Sequence, residues 1–218
     1  ISPVPQIIAV MILSLAALVV TVTIKGKGEL SIWNVLACIP LGLSPYFLEC
    51  LSYKFDSPYM ALSILASVLP LLFYQKRWMW YSLSVVVCML VMCMTYQAAS
   101  GIFPMFVVLL TLIWYVRKED LKKIGSFILC SAVSYGIGVG IFFLFIMKHV
   151  STYVSNGLAD LSGIIAHYKT YLNYVRTDFR KLCLIVIALV VLCFVCRMVF
   201  ESQRNKVITL MLSVVVAG

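Results

Sequence analysis

An all-α polytopic transmembrane helical bundle, of about seven spans plus a truncated eighth, is the fold class this sequence predicts, and three observations carry the prediction. Hydrophobic residues fill 63% of the 218 positions, with a mean hydropathy of +1.07. Only 11% of residues are charged, against roughly a quarter in a soluble domain. The apolar residues are gathered into runs about as long as a membrane is thick, which is the pattern of helices and not of a barrel.

The spans follow from charge and from breakers. The first runs from about Ile7 to Ile24 and is closed by the basic "KGKGE"; the second covers about Ile32 to Leu48. The third, about Pro58 to Tyr74, is followed by "QKR". From Trp78 to Val116 no charge occurs, which is too long for one helix. There "YQAASGIFP", with Gly101 and Pro104 as punctuation, separates a fourth span, about Trp78 to Tyr96, from a fifth, about Ile102 to Val116. After "RKEDLKK" a sixth is expected at about Ile124 to Met147 and a seventh at about Leu182 to Phe200; "ESQRNK" precedes the truncated eighth. Residues 1–218 thus read as a single transmembrane domain. Within it, residues 150–181 form a segment outside the membrane.

Charge sets the orientation. Lys25, Lys27, Lys76, Arg77, Arg117, Lys118, Lys122, Lys123, Arg197, Arg204 and Lys206 all fall on one side, while the short loops opposite hold only Lys54. Basic residues mark the cytoplasmic side, and Trp33, Trp78, Trp80 and Trp114 lie at the same boundary, as an aromatic belt would place them. The net charge of +9 therefore speaks of topology and not of a nucleic-acid partner. With this orientation Ile1 lies outside, so an odd number of spans, most simply one, is expected upstream, and the chain reads as an internal fragment.

Most of the eight cysteines fall inside apolar runs, with Cys50 expected in a loop. The Cys193–Cys196 pair is two small apolar residues one turn apart. With only His149 and His167 besides, no metal site and no cofactor is expected. Gly136, Gly138 and Gly140 in "YGIGVGIFF" lie in mid-membrane with no strand before them, which excludes a nucleotide-binding turn and favours close helix packing or a kink.

Chemistry is left to three outer segments. In the long one, Leu158, Leu161, Ile165, Tyr168, Leu172, Val175 and Phe179 draw an apolar stripe at helical spacing. Lys169, Asn173, Arg176 and Arg180 draw a basic stripe beside it. The pattern predicts an interfacial helix over about Leu158 to Arg180. Its arginines either snorkel as anchors or hold the phosphate of a lipid-linked substrate. In "ECLSYKFDSP", Glu49, Lys54 and Asp56 crowd beside Tyr53 and Phe55. The bland reading is a helix start with Ser57 as N-cap and Pro58 at the first position, Asp56 favouring the N-terminus and Glu49 pairing loosely with Lys54. The sharper one is a sugar site, with rings packed on C–H surfaces and carboxylates accepting hydroxyl protons. The third segment, "YQAASG", offers Tyr96 and Gln97.

The segments "SPVPQIIAVMILSLAA", "LGLSPYFLECLSYKFDSPYMALSILASVLPLLF" and "YQAASGIFP" resemble the bacterial type II O-antigen glucosyltransferases, the serotype-converting family, over about the first 115 residues. Cys50 stands where that family suggests asparagine. The resemblance implies a GT-C-like enzyme of the bacterial inner membrane. It would move glucose from an undecaprenyl-phosphate-linked donor to a lipid-linked O-antigen acceptor on the periplasmic face, by direct displacement at the anomeric carbon. The principal catalytic carboxylate of that class lies in a first periplasmic loop, which would precede this chain. Glu49 and Asp56 would then be candidate acids on a second wall. Tyr53, Lys54, Tyr96, Gln97, Arg176 and Arg180 would bind substrate. A transporter or flippase of a lipid-linked sugar is the alternative, and it would need charged groups near mid-membrane; a non-catalytic membrane scaffold is a third reading.

Overall fold

The structure, a computed structural model, describes residues 3–25, 31–36, 45–74, 77–147, 161–202 and 204–217, and these contain helices and no strand. They fall into two compact units, residues 1–115 with 119–146 and residues 116–118 with 147–218. The first unit is built from α1 (Val4–Lys25), α2 (Ile32–Leu36), α3 (Pro45–Ser52), α4 (Ser57–Val68), α5 (Trp78–Thr95), α6 (Ile102–Val116) and α7 (Leu121–Ile141). The second is built from α8 (Leu161–Asp178), α9 (Lys181–Glu201) and α10 (Lys206–Ala217).

Among the described residues, five helices are long and apolar enough to cross a membrane: Val4–Lys25, Trp78–Thr95, Gln97–Val116, Leu121–Ile146 and Lys181–Glu201. These are the first, fourth, fifth, sixth and seventh spans of the sequence reading. The expected third span is a shorter apolar helix, Ser57–Phe73, and the truncated eighth is Lys206–Ala217. Much of the expected second span lies outside the described residues, as do His149 and Leu158.

Local chemistry explains where the elements stop. Pro70 offers no N–H, so α4 tightens into a 3-10 turn over Leu69–Phe73. Tyr96 is extended (φ −155°, ψ 100°) while its N–H still bonds the Met92 carbonyl at 2.9 Å; α5 ends there, and a 3-10 turn, Gln97–Gly101, follows. After α6, Lys118 takes a left-handed φ of 62° and the Glu119 N–H reaches back to the Trp114 carbonyl at 3.0 Å. That is the bond pattern of a glycine-type helix end, made here by a lysine. The Asp120 carboxylate caps α7 by accepting from the Lys122 N–H at 3.1 Å.

Two helix pairs make the core of the first unit. Between α1 and α4, Ala9 and Ala61 are fully buried, with Leu13 and Phe47 beside them; small residues let the two backbones approach. Between α5 and α7, Tyr81, Val85, Met89 and Met92 form a stripe on one helix, and Phe127, Ser131, Ser134 and Gly138 form one on the other. Both stripes follow the three-and-four spacing of a single face. Of the three glycines, Gly138 alone needs to be one: a Cβ there would lie 2.9 Å from Met89 Cβ and 3.1 Å from the Val86 carbonyl, whereas Gly136 and Gly140 meet nothing within 4 Å. Tyr81 Oη sits 2.7 Å from Ser131 Oγ. Ser131 spends its own proton on the Phe127 carbonyl at 2.7 Å, so Tyr81 donates. On α4, Ser57, Ser63 and Ser67 are all fully buried, and the last two return their hydroxyls to their own helix, to Met60 and Ser63 carbonyls at 2.7 and 2.8 Å.

In the second unit, α9 and α10 meet at a turn where Ser202 Oγ and Thr209 Oγ1 lie 2.8 Å apart and Asn205 Oδ1 accepts from the Val207 N–H at 2.9 Å. Where a helix was expected over about Leu158 to Arg180, α8 covers Leu161–Asp178, with Tyr168, Tyr171, Leu172 and Tyr174 exposed.

Candidate functional site

The Glu49–Asp56 stretch is not a loop between spans, as the sequence reading had it. Residues through Ser52 belong to α3, because Pro45 starts a helix whose apolar side, Phe47, Cys50 and Leu51, packs on the α1–α4 core. Cys50 is therefore half-buried on a helix, and burial, with the neighbouring Glu49 carboxylate second, pushes its thiol pKa up. Gln6 helps anchor the helix: its side-chain amide Nε2 donates to the Leu51 carbonyl at 3.3 Å. With one face of α3 so occupied, Glu49 points to the open side and is exposed.

A tight turn carries the chain from α3 into α4. Asp56 and Ser57 N–H groups both bond the Tyr53 carbonyl, at 3.0 and 2.9 Å, and Ser57 Oγ donates to the Lys54 carbonyl at 3.4 Å. Ser57 was expected as N-cap; it is instead the first residue of the helix, and Asp56 takes the cap position. Asp56 has helical dihedrals (φ −92°, ψ −18°) and makes no side-chain cap bond. A capping side chain needs an extended backbone to reach the N–H groups of the first turn, so this carboxylate is left uncommitted. It is exposed at the helix N-terminus.

The rings around it are open too. Tyr53 is 54% exposed, Phe55 81% and Tyr59 58%. Tyr59, three residues beyond Asp56 and on the same side of the helix start, was not singled out from sequence, although its spacing from Asp56 was the available signal. Lys54 is exposed, and the ion pairs found among the described residues, Lys123–Glu119 and Arg197–Glu201, involve none of Glu49, Lys54 and Asp56. The expected Glu49–Lys54 pair is not formed.

Tyr96 and Gln97 are exposed at the head of the 3-10 turn, which packs on α4 as well as α5. The point of contact is Ser67, whose Oγ lies 3.4 Å from the Ala99 carbonyl. At about 1.5 Å per residue, Ser67 is roughly 16 Å along α4 from Asp56. Both groups of candidate residues thus share α4, but at different heights.

Arg176 and Arg180 do not continue one helical stripe. α8 ends at Asp178, Phe179 bends, and Arg180 is the N-cap of α9 with an extended backbone (φ −59°, ψ 146°). Both arginines are exposed. Nothing in "TDFR" is a helix breaker, so the periodicity ran on past the true end. Among the described residues, no three His, Cys, Asp or Glu side chains are grouped as a metal site.

An exposed carboxylate flanked by open rings is suited to a hydroxyl-rich ligand, and it stands in an apolar helical protein with several membrane-length helices. The model of the glucosyl transferase GtrII family matches this chain over residues 1–218. The chain belongs to that family. No curated protein and no solved structure matches it. As a GtrII-family member it is a membrane glucosyltransferase, so it needs a sugar donor and a sugar acceptor. In GtrII terms the resemblance carried by the first 115 residues extends over the whole chain.

Proposed function

We propose that this chain transfers glucose from a polyprenyl-phosphate donor to lipid-linked O-antigen, or a similar surface glycan, on the periplasmic face of the bacterial inner membrane. The observation that carries the reading is the Asp56 carboxylate: it is exposed, takes no part in capping, and stands among Tyr53, Phe55 and Tyr59 in a member of a glucosyltransferase family. Asp56 contacts a sugar hydroxyl or a reacting group, and Glu49 binds alongside. In the reaction, the acceptor oxygen attacks the anomeric carbon as its proton passes to a carboxylate base. The bond from that carbon to the phosphate oxygen breaks, and the phosphate leaves with the electron pair. Basic side chains stabilise that phosphate; Arg176 and Arg180 bind a lipid phosphate, and Tyr53, Lys54, Tyr96 and Gln97 bind the sugars. An interfacial α8, with its apolar side toward acyl chains and Lys169 and Arg176 toward head groups, would hold Arg176 at the level of a lipid phosphate.

A lipid-borne donor agrees with a chain whose described part is helical and has no strand for a nucleotide-binding fold. The transporter reading has less support, since the buried polar side chains among the described residues are all serine or threonine. The test is donor competition in washed, inside-out and right-side-out membranes carrying the full-length enzyme. Polyprenyl-phosphate-glucose is expected to label the acceptor without added nucleotide sugar. Labelling from UDP-glucose alone, in membranes depleted of polyprenyl phosphate, would overturn the proposal.

A further inference from the structure

We propose that Tyr135 is a positioning residue for sugar transfer: its hydroxyl fixes the Gln97–Gly101 turn and, through it, Tyr96 and Gln97. The inference rests on the reading that Tyr96 and Gln97 bind substrate.

The turn interrupts two apolar helices: the Ala99 carbonyl still accepts from the Ile102 N–H, but the helical partner of the Ser100 carbonyl would be Pro104, which has no N–H to give. Backbone groups freed in this way within a membrane protein need protein or water to satisfy them. Two hydroxyls come from other helices. Tyr135 Oη, on α7, donates to the Ser100 carbonyl at 3.1 Å. Ser67 Oγ, on α4, lies 3.4 Å from the Ala99 carbonyl, but its single proton is already given to the Ser63 carbonyl at 2.8 Å. The bond to Ala99 is the minor branch, and Tyr135 supplies the principal one.

The ring of Tyr135 is held as well. It stacks on Phe103, with centroids 5.9 Å apart and planes within 1° of parallel, and Phe103 is 1% exposed. Tyr135 therefore grips the chain on both sides of Gly101, by oxygen at Ser100 and by ring at Phe103. The grip is anchored, because Gly138, nearly one turn further along α7, is pressed against Val86 and Met89 of α5. Tyr96, by contrast, is a single extended residue between α5 and the turn. Once the Ser100 carbonyl is released, rotation at Tyr96 moves its own ring and Gln97 together. A phenylalanine at 135 would keep the stack, so the oxygen serves the turn.

The test uses Tyr135→Phe in the full-length enzyme with two readouts. The acceptor KM is expected to rise about tenfold with kcat within about twofold, the loss of one positioning hydrogen bond. Independently of activity, Gln97→Cys in a cysteine-free background reports the turn: maleimide labelling is expected to change about fivefold when Tyr135→Phe is added. Ser67→Ala, which removes only the minor branch, is expected to change neither readout by more than about twofold. Unchanged labelling in Tyr135→Phe would overturn the proposal, as would a fall in folded protein with labelling unchanged, which would make Tyr135 a stability residue only. Gln97→Ala separates the two readings. If it leaves KM unaltered while Tyr135→Phe shifts the labelling, substrate binding by the turn fails and the hydroxyl's hold on it stands. If it raises KM while Tyr135→Phe changes nothing, the positioning role fails and the binding role stands.

Discussion

The α5–α7 interface and the α3–α4 corner treat polar groups in opposite ways. At the interface, Tyr81, Ser131 and the backbone close a hydrogen-bond chain among themselves, and Ser82 Oγ lies 2.9 Å from Cys130 Sγ. At the corner, Glu49, Lys54 and Asp56 are exposed and enter none of the ion pairs found among the described residues. Hydroxyls in the first region hold the helices together. Charges in the second are held in place by the backbone and spent on nothing internal. The first region should therefore govern stability and the second activity, with little crossover.

The largest expected effect tests the corner. Asp56→Asn in the full-length enzyme should lower transfer about a hundredfold, near 2.7 kcal/mol of transition-state stabilisation. Detergent melting should not change, since no cap bond is lost. Glu49→Gln should show a smaller loss. Near-normal transfer by Asp56→Asn would reduce the corner to a polar helix start. Next comes the interface. Gly138→Val forces a side chain against Met89 and the Val86 backbone and should cost about 1–3 kcal/mol in unfolding measurements. Gly136→Ala and Gly140→Ala, which face open space, should be neutral or slightly stabilising. Equal effects at all three positions would mean that close approach is not what Gly138 provides. The smallest is Tyr81→Phe, which removes a donor from a serine that keeps its own partner. About 0.6 kcal/mol of stability should be lost, the usual worth of a hydrogen bond between membrane helices, with transfer per folded molecule unchanged. A larger loss in transfer than in stability would break the division between the regions.

The same contrast explains what could be read from sequence. Spans show where charge stops and where glycine and proline break the run, so Ile102–Val116 was legible to the residue and Trp78–Thr95 to within one. The candidate carboxylates were legible because charge is rare in an apolar chain. Contacts that depend on the meeting of distant helices were not: Tyr135 and Ser100 are 35 residues apart with no local mark on either. Helix ends without Gly or Pro were also hidden, which is why the end of α3, Glu49–Ser52, was read as loop and Arg180 was assigned to the wrong helix. Among three evenly spaced glycines, the sequence carries nothing to say which one meets a neighbour.

The serines of α4 have a mechanical consequence. Ser63 and Ser67 turn their hydroxyls back onto carbonyls of the turn before, so the face they present to neighbouring helices is small and smooth, with the weak branch to Ala99 as its one polar catch among the described residues. Such back-bonding bends a helix slightly and leaves it without lateral hooks. α4 is then seated against its neighbours by close packing around Ala61 and by that one weak branch, so Asp56 at its tip takes its place from the fit of side chains and not from polar ties.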